Sequence, residues 1–243
     1  MNRKEFIAIA GMFGMGTAVN GFSLEHSSKL DVSNPAKNLI MLDHILLGVS
    51  DLQKGIQLVK EKTGVEAAEG GKHPNIGTHN ALISLGENQY LEIIAPNPGE
   101  KLIDEYSFLK DLKEPSVFTW AVHTNNMEEV LKKINAAGYK NYGISDGSRL
   151  TKEGKKLSWR SLGMEVAPDD GLIPFFIEWG KDTVHPSITS PKGCKLQSLE
   201  LTHPKPVEIE TVLKNAGIPL SVEKGSKPQL KLTIQSPRGT VTF

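Results

Sequence analysis

The sequence predicts an α+β fold of three repeated units, each a strand, a helix and two or three further strands, with the third unit shortened. Two observations predict it. First, three stretches share one order: a short apolar strand, a polar turn, and an amphipathic helix that ends at glycine. They are 39–49 with 51–63 and Gly64, 117–123 with 126–137 and Gly138, and 196–202 with 206–216 and Gly217. The three glycines lie 74 and 79 positions apart, a long repeat rather than a solenoid period. Second, each helix is followed by paired strand runs about a turn. These are 80–85 and 89–95 about Gly86-Glu87-Asn88, 156–166 and 173–179 about Pro168-Asp169-Asp170-Gly171, and 230–235 and 240–243 about Pro237-Arg238-Gly239.

Taken in chain order, the first segment reads as an address. Arg3 and Lys4 precede a nearly uncharged run from Phe6 to Val19, and a polar stretch follows, which is the layout of an export signal. The run is shorter than the ~20 residues a spanning helix needs. Residues 1–22 are therefore expected to be an export signal and 23–38 a linker, with the mature protein in the periplasm or cell envelope and free of the membrane. The string at 2–7 resembles a twin-arginine signal with Lys4 in the second basic place.

The first module is expected at 39–100. Asp51 is its helix N-cap, Leu52, Ile56 and Val59 form the buried helix face, and Gly64 is the left-handed residue after the helix. The second, at 116–182, has Asn126 as cap and Met127, Val130, Leu131 and Ile134 as buried face. The third, partial module covers 195–243, and its last strand leaves an edge that could pair with a second copy in a homodimer. Segments 96–115 and 185–195 connect the three.

Composition excludes several functions. Lys+Arg 28 balance Asp+Glu 28, so no global field favours nucleic acid or an anionic membrane. The single cysteine, Cys194, builds neither a disulfide nor a thiolate zinc site, so a metal would be held by histidine and carboxylate. Cys194 also lacks a local histidine that would make it a nucleophile. There is no Walker-type loop.

Several motifs then carry a resemblance. The run from Leu42 to Asp51, containing Asp43-His44-Ile45, resembles the opening strand of the vicinal oxygen chelate superfamily, which includes glyoxalase I, extradiol dioxygenases and bleomycin-resistance proteins. Tyr90-Leu91-Glu92-Ile93-Ile94 resembles its closing strand. The stretch from Gly70-Gly71-Lys72-His73 to Thr78-His79-Asn80, with Pro174-Phe175-Phe176-Ile177-Glu178-Trp179 and Thr202-His203-Pro204, resembles the glyoxalase-like domain family. The resemblance implies repeated βαβββ modules that form curled mixed sheets around a cleft, with a divalent metal (Zn, Ni, Mn, Co or Fe) held by His44 and Glu92.

Chemistry in the residues themselves supports such a site. Strands distant in sequence can each aim one side chain at a common interior point. Glu178 sits among apolar neighbours, where a carboxylate needs a metal, a cation or hydrogen-bond donors, and it holds the place in unit two that Glu92 holds in unit one. Seven residues before Asn126, where a second histidine would match His44, stands Thr119, and His79 is the substitute. Glu178 and His79 are thus both metal-ligand and acid–base candidates. Arg160 is the candidate for binding a substrate carboxylate. Trp159, Trp179 and Phe176 are candidates for an apolar cleft wall, and His73 for a loop contact to substrate. Two functions stay open: a metal-dependent enzyme of lyase, isomerase or dioxygenase type acting on a small vicinal-oxygen substrate, or a metal-free protein that sequesters a small molecule.

Overall fold

In the first two units the helix is set by its ends. The structure is a computed structural model that describes residues 40–152, 154–166 and 171–243; the expected export signal and linker lie outside the described residues. Strand β1 (Ile40–Gly48) leads into helix α1 (Leu52–Thr63), where the Asp51 carboxylate accepts the Lys54 N–H at 3.0 Å and Gly64 closes the helix at φ 79°. Leu52, Ile56 and Val59 are buried, as their spacing predicts. Strands β2 (Ala68–His73), β3 (Thr78–Gly86) and β4 (Gln89–Pro96) follow. A short 3-10 helix, Asp104–Asp111, occupies the connection to the second unit.

That unit repeats the plan with β5 (Ser116–Thr124), α2 (Met127–Ala136), β6 (Lys140–Leu150), β7 (Lys156–Glu165) and β8 (Phe175–Trp179). Asn126 caps α2 by accepting the Glu129 N–H at 3.1 Å, and Gly138 adopts φ 79°. A one-turn helix α3 (Pro186–Thr189) leads to the third unit: β9 (Lys195–His203), α4 (Pro206–Asn215), β10 (Glu223–Lys224), β11 (Gln229–Ser236) and β12 (Gly239–Thr242).

The first two units form one eight-stranded sheet in the order β2-β3-β4-β1-β5-β8-β7-β6. In each, the first strand lies parallel to the last, β1 beside β4 and β5 beside β8, and β1 joins β5 antiparallel at the junction. The third unit makes a separate sheet in the order β10-β9-β11-β12, where β9 is parallel to the short β10 and antiparallel to β11. Its connectivity thus differs from that of the other two.

One apolar core runs through all three units. It takes in Val59 and Ile93 of the first, Trp120 and Phe176 of the second, and Leu199, Leu213 and Leu232 of the third. Cys194 is buried in it. The third unit packs through β9 against β3 and through β11 against β5, and Ser84 N–H bonds the Pro191 carbonyl at 3.0 Å.

The large sheet curls until its two edges approach each other. There Arg149 of β6 donates to the Gly70 carbonyl of β2 at 2.5 Å. Gly71 permits this seam, because a Cβ at that position would stand 2.5 Å from the Leu150 carbonyl oxygen. Gly77 plays a similar part: at φ 80° it lies where a Cβ would meet the Lys101 carbonyl at 2.2 Å. The close approach brings Ile103 to the Ile76 carbonyl and sets the 3-10 helix over the sheet.

Candidate active site

Strand parity selects the residues that see the interior of the curl. Alternate residues point to opposite faces, so β4 presents Tyr90, Glu92 and Ile94 to the cavity while β8 presents Phe175, Ile177 and Trp179. β1 contributes His44 and Leu46, and the whole encloses about 510 Å³. Leu42 pairs with Val122 and His44 with Ala121, leaving Asp43 as an extra residue, a β-bulge. Bulges re-aim side chains, and this one places an acid directly beside His44.

Asp43 is the hub. It is 0% exposed, and its Oδ1 meets His44 Nδ1 at 2.6 Å. Its Oδ2 accepts the Trp179 indole N–H at 2.8 Å, with His185 Nε2 at 3.2 Å and His123 Nδ1 at 3.6 Å. Burial pushes the Asp43 carboxyl up, but the hydrogen bonds from His123, His185 and His44 outweigh it and hold the group well below its ordinary value. His44 stacks on Tyr90, centroids 4.6 Å apart, which fixes its ring from the other side.

The far nitrogen of His44, Nε2, faces Glu92 Oε2 at 3.5 Å. The other Glu92 oxygen accepts Asn80 Nδ2 at 2.7 Å and stands 3.9 Å from His73 Nε2. His73 is held at Nδ1 by Thr78 Oγ1 at 3.0 Å. Two imidazoles, each anchored through Nδ1, therefore turn Nε2 toward one buried carboxylate. Among the described residues no group of three or more His, Cys, Asp or Glu stands ready as a metal cage. The register explains part of this: Ala121 pairs with Phe175 and His123 with Ile177, as His44 pairs with Tyr90 and Leu46 with Glu92. The second module thus carries Ala121 and Ile177 where the first carries His44 and Glu92. Strand pairing, rather than distance from the helix cap, sets the match, and it falls on Ala121 instead of Thr119.

The other expected site residues are distributed as follows. Trp159 and Trp179 line the cavity, with rings 5.8 Å apart at 64°. Phe176 does not: it is 0% exposed in the core, and its neighbour Phe175 faces the cavity instead. Glu178 also points to the opposite face, where Arg160 Nε donates to it at 2.7 Å. The cation that a mid-strand carboxylate needs is thus an arginine rather than a metal. Arg160 also grips Glu128 of α2, at 2.5 and 3.2 Å, so its guanidinium is engaged by two carboxylates and is not turned to a ligand. His79 is separated from Glu92 by strand parity and lines a second cavity of about 620 Å³. Asp43, Asn80, Tyr90, His123, His185 and Arg149 were not among the expected site residues. The one legible signal was Asp43, an acid within an apolar run.

The histidines impose a pH profile on stability. Burial lowers the pKa of His73, so the fold keeps it neutral while the unfolded chain takes up a proton, and stability rises with pH up to about 6.5. His79 is lowered by the same cause. The hydrogen bond with Asp43 raises His123, so the fold holds that proton after the unfolded chain has released it. This contribution is lost as pH rises from about 6.5 through the raised value. Urea unfolding between pH 5 and 8.5 is expected to show a maximum near pH ~6.5, and His123→Gln should flatten the alkaline side. A wild-type curve that keeps rising above neutrality would contradict the assignment.

Paired modules that curl one sheet around a cavity, with histidine and glutamate on the first and last strands of a module, define the vicinal oxygen chelate class. Residues 42–217 match the family described as a glyoxalase-like domain, and the chain belongs to that family. A hypothetical protein from Staphylococcus aureus has a similar solved structure, with TM-score 0.60 and 17% identity over 84% of each chain. Methylmalonyl-CoA epimerase from Mycobacterium tuberculosis aligns with TM-score 0.43 and 16% identity, covering 60% of this chain and 92% of that one. No curated protein sequence matches the chain. The Staphylococcus aureus structure bears on the fold alone.

Proposed function

We propose that the chain is an enzyme of isomerase or lyase type that moves a proton on a small, oxygen-bearing organic molecule. The observation that carries this reading is the buried row Asp43–His44–Glu92, with contacts of 2.6 and 3.5 Å, at the wall of a cavity of about 510 Å³. Cavities of ~300–1,000 Å³ suit small ligands. Glu92 is the proton-transfer group: one oxygen is fixed by Asn80 and the other faces His44 and the cavity. Asp43 holds the His44 ring in place, and Trp159, Trp179 and Phe175 exclude water from the bound molecule. The N-terminal basic-then-apolar run supports a site of action outside the cytoplasm, after export.

The donor chemistry suits a divalent ion. A ligating histidine characteristically gives its other ring N–H to a carboxylate or a neighbouring oxygen, as His44 does to Asp43, and His73 Nδ1 lies 3.0 Å from Thr78 Oγ1. His44 and His73 would hold the ion, leaving Glu92 beside them to move the proton, and the ion when bound supplies Lewis-acid stabilisation of a developing oxyanion.

The test is the metal content of untagged protein after dialysis and reloading with Mn, Co, Ni or Zn, beside His44→Ala and His73→Ala. Near-stoichiometric metal in the wild type is expected, with affinity at least ~10–100-fold weaker in each folded variant. Wild-type protein that takes up no metal would favour the second reading, a metal-free binding protein. The aromatic wall built by Tyr90, Trp159 and Trp179 is the observation that favours it.

A further inference from the structure

Arg149 is 7% exposed, yet among the described residues no carboxylate forms an ion pair with it. Among the described residues its one hydrogen bond runs from Nη1 to the Gly70 carbonyl and leaves the rest of a five-donor fork unused. Buried charge is costly unless paired, and the other arginine of the second module, Arg160, is shared by two carboxylates. Of the acids that line the cavities with it, Glu69 is engaged by Gln53 at 3.0 Å and Lys152 at 3.7 Å, and Glu92 accepts from Asn80 at 2.7 Å.

The position of Arg149 gives this meaning. Arg149 and Asn80 are the residues common to the main cavity and the second cavity, so together they form the wall between the two. Gly70 makes room for both side chains: a Cβ at that position would lie 2.4 Å from Asn80 Oδ1 and 3.2 Å from Arg149 Nη2. Lys72, Lys152 and Lys156 line the second cavity.

We infer that Arg149 anchors an oxyanion of the ligand, a carboxylate or a phosphate, so that the substrate class is a small organic acid or phosphate ester with an apolar body. This rests on the proposed reading of the main cavity. The apolar body lies against Trp159 and Phe175, and the reacting carbon is within reach of Glu92. The anion meets the guanidinium where the two cavities adjoin, and the lysines beyond it attract such ligands and discourage neutral ones.

Calorimetric titration of the full chain with phenylacetate, its neutral counterpart phenylacetamide, and inorganic phosphate tests this. It is run on protein as purified and again after metal stripping, for wild type, Arg149→Gln and Arg149→Lys. Phenylacetate or phosphate is expected to bind wild type at least ~10-fold tighter than phenylacetamide in both preparations, and Arg149→Gln to weaken that binding ~10–100-fold. Arg149→Lys should recover part of the loss, since lysine keeps the charge without the fork. Binding of phenylacetate alone assigns the anion as carboxylate, and of phosphate alone as phosphate. Equal binding of phenylacetate and phenylacetamide with no uptake of phosphate overturns the inference, as does unchanged anion binding by folded Arg149→Gln. Anion preference that disappears on stripping also overturns it, because a metal rather than Arg149 then holds the anion. If Arg149→Gln fails to fold, the wild-type comparison and Arg149→Lys decide. Anion preference in a protein that takes up no metal leaves this inference standing while the metal site fails.

Discussion

Asp43→Ala is expected to lower the unfolding free energy by about 3–5 kcal/mol, the usual cost of removing one partner from a buried ionic network. The carboxylate is wholly enclosed, and its loss strands the His44 and His185 imidazoles and the Trp179 indole N–H, with His123 beside them. These groups come from β1, β5, β8 and the segment before α3, so the substitution loosens the junction of both modules and the approach to the third. Urea denaturation followed by tryptophan fluorescence measures the loss. A change below about 0.5 kcal/mol would resemble an ordinary surface substitution and would mean that the hub is not the buried pairing described.

Glu92→Gln should have the opposite signature, little loss of stability and a large loss of turnover. Glutamine keeps the shape of the side chain and can still accept from Asn80 Nδ2, but it cannot take up and return a proton. General acid–base catalysis contributes ~10²–10⁴-fold, and turnover should fall by about that factor. The assay is steady-state turnover on the substrate found by screening organic acids and phosphate esters, with a thermal melt of the same samples. A folded variant that keeps more than about a tenth of wild-type turnover would be outside that range and would mean that Glu92 does not move the proton.

Much of the fold was legible because its signals are local. The caps Asp51 and Asn126, the apolar helix faces and the three glycines after the helices are each read within a dozen residues, and all three glycines adopt positive φ. Strands β2 and β6 were less visible. As edge strands they are largely exposed and carry Gly70, Gly71, Gly143 and Gly147, so they lack a two-residue apolar rhythm.

The site was legible where one module sufficed and obscure where pairing mattered. His44 and Glu92 face each other through a parallel pairing within the first unit. Glu178 lies in a string much like that around Glu92, but register turns it to Arg160, and a one-residue difference in a strand reverses the face. Asp43 acquires its role from a bulge, and His185 reaches it from 142 positions away; neither relation is written in local sequence. Arg149 and Arg160 look alike in a string of letters. Their partners, the Gly70 carbonyl for one and two carboxylates for the other, distinguish them.

The register that puts Ala121 and Ile177 opposite the first module's histidine and glutamate has a consequence for how such a protein can diversify. Two identical halves would carry two copies of every reactive group, and any change to one would be imposed on the other by symmetry. Within one chain the halves are free to differ: the first supplies Tyr90, His44 and Glu92 to the cavity, the second a wall of Trp159, Phe175, Ile177 and Trp179. Changes in the second half can then reshape the cavity wall while the row of Asp43, His44 and Glu92 is left untouched, a division of labour that a symmetric pair of subunits cannot reach.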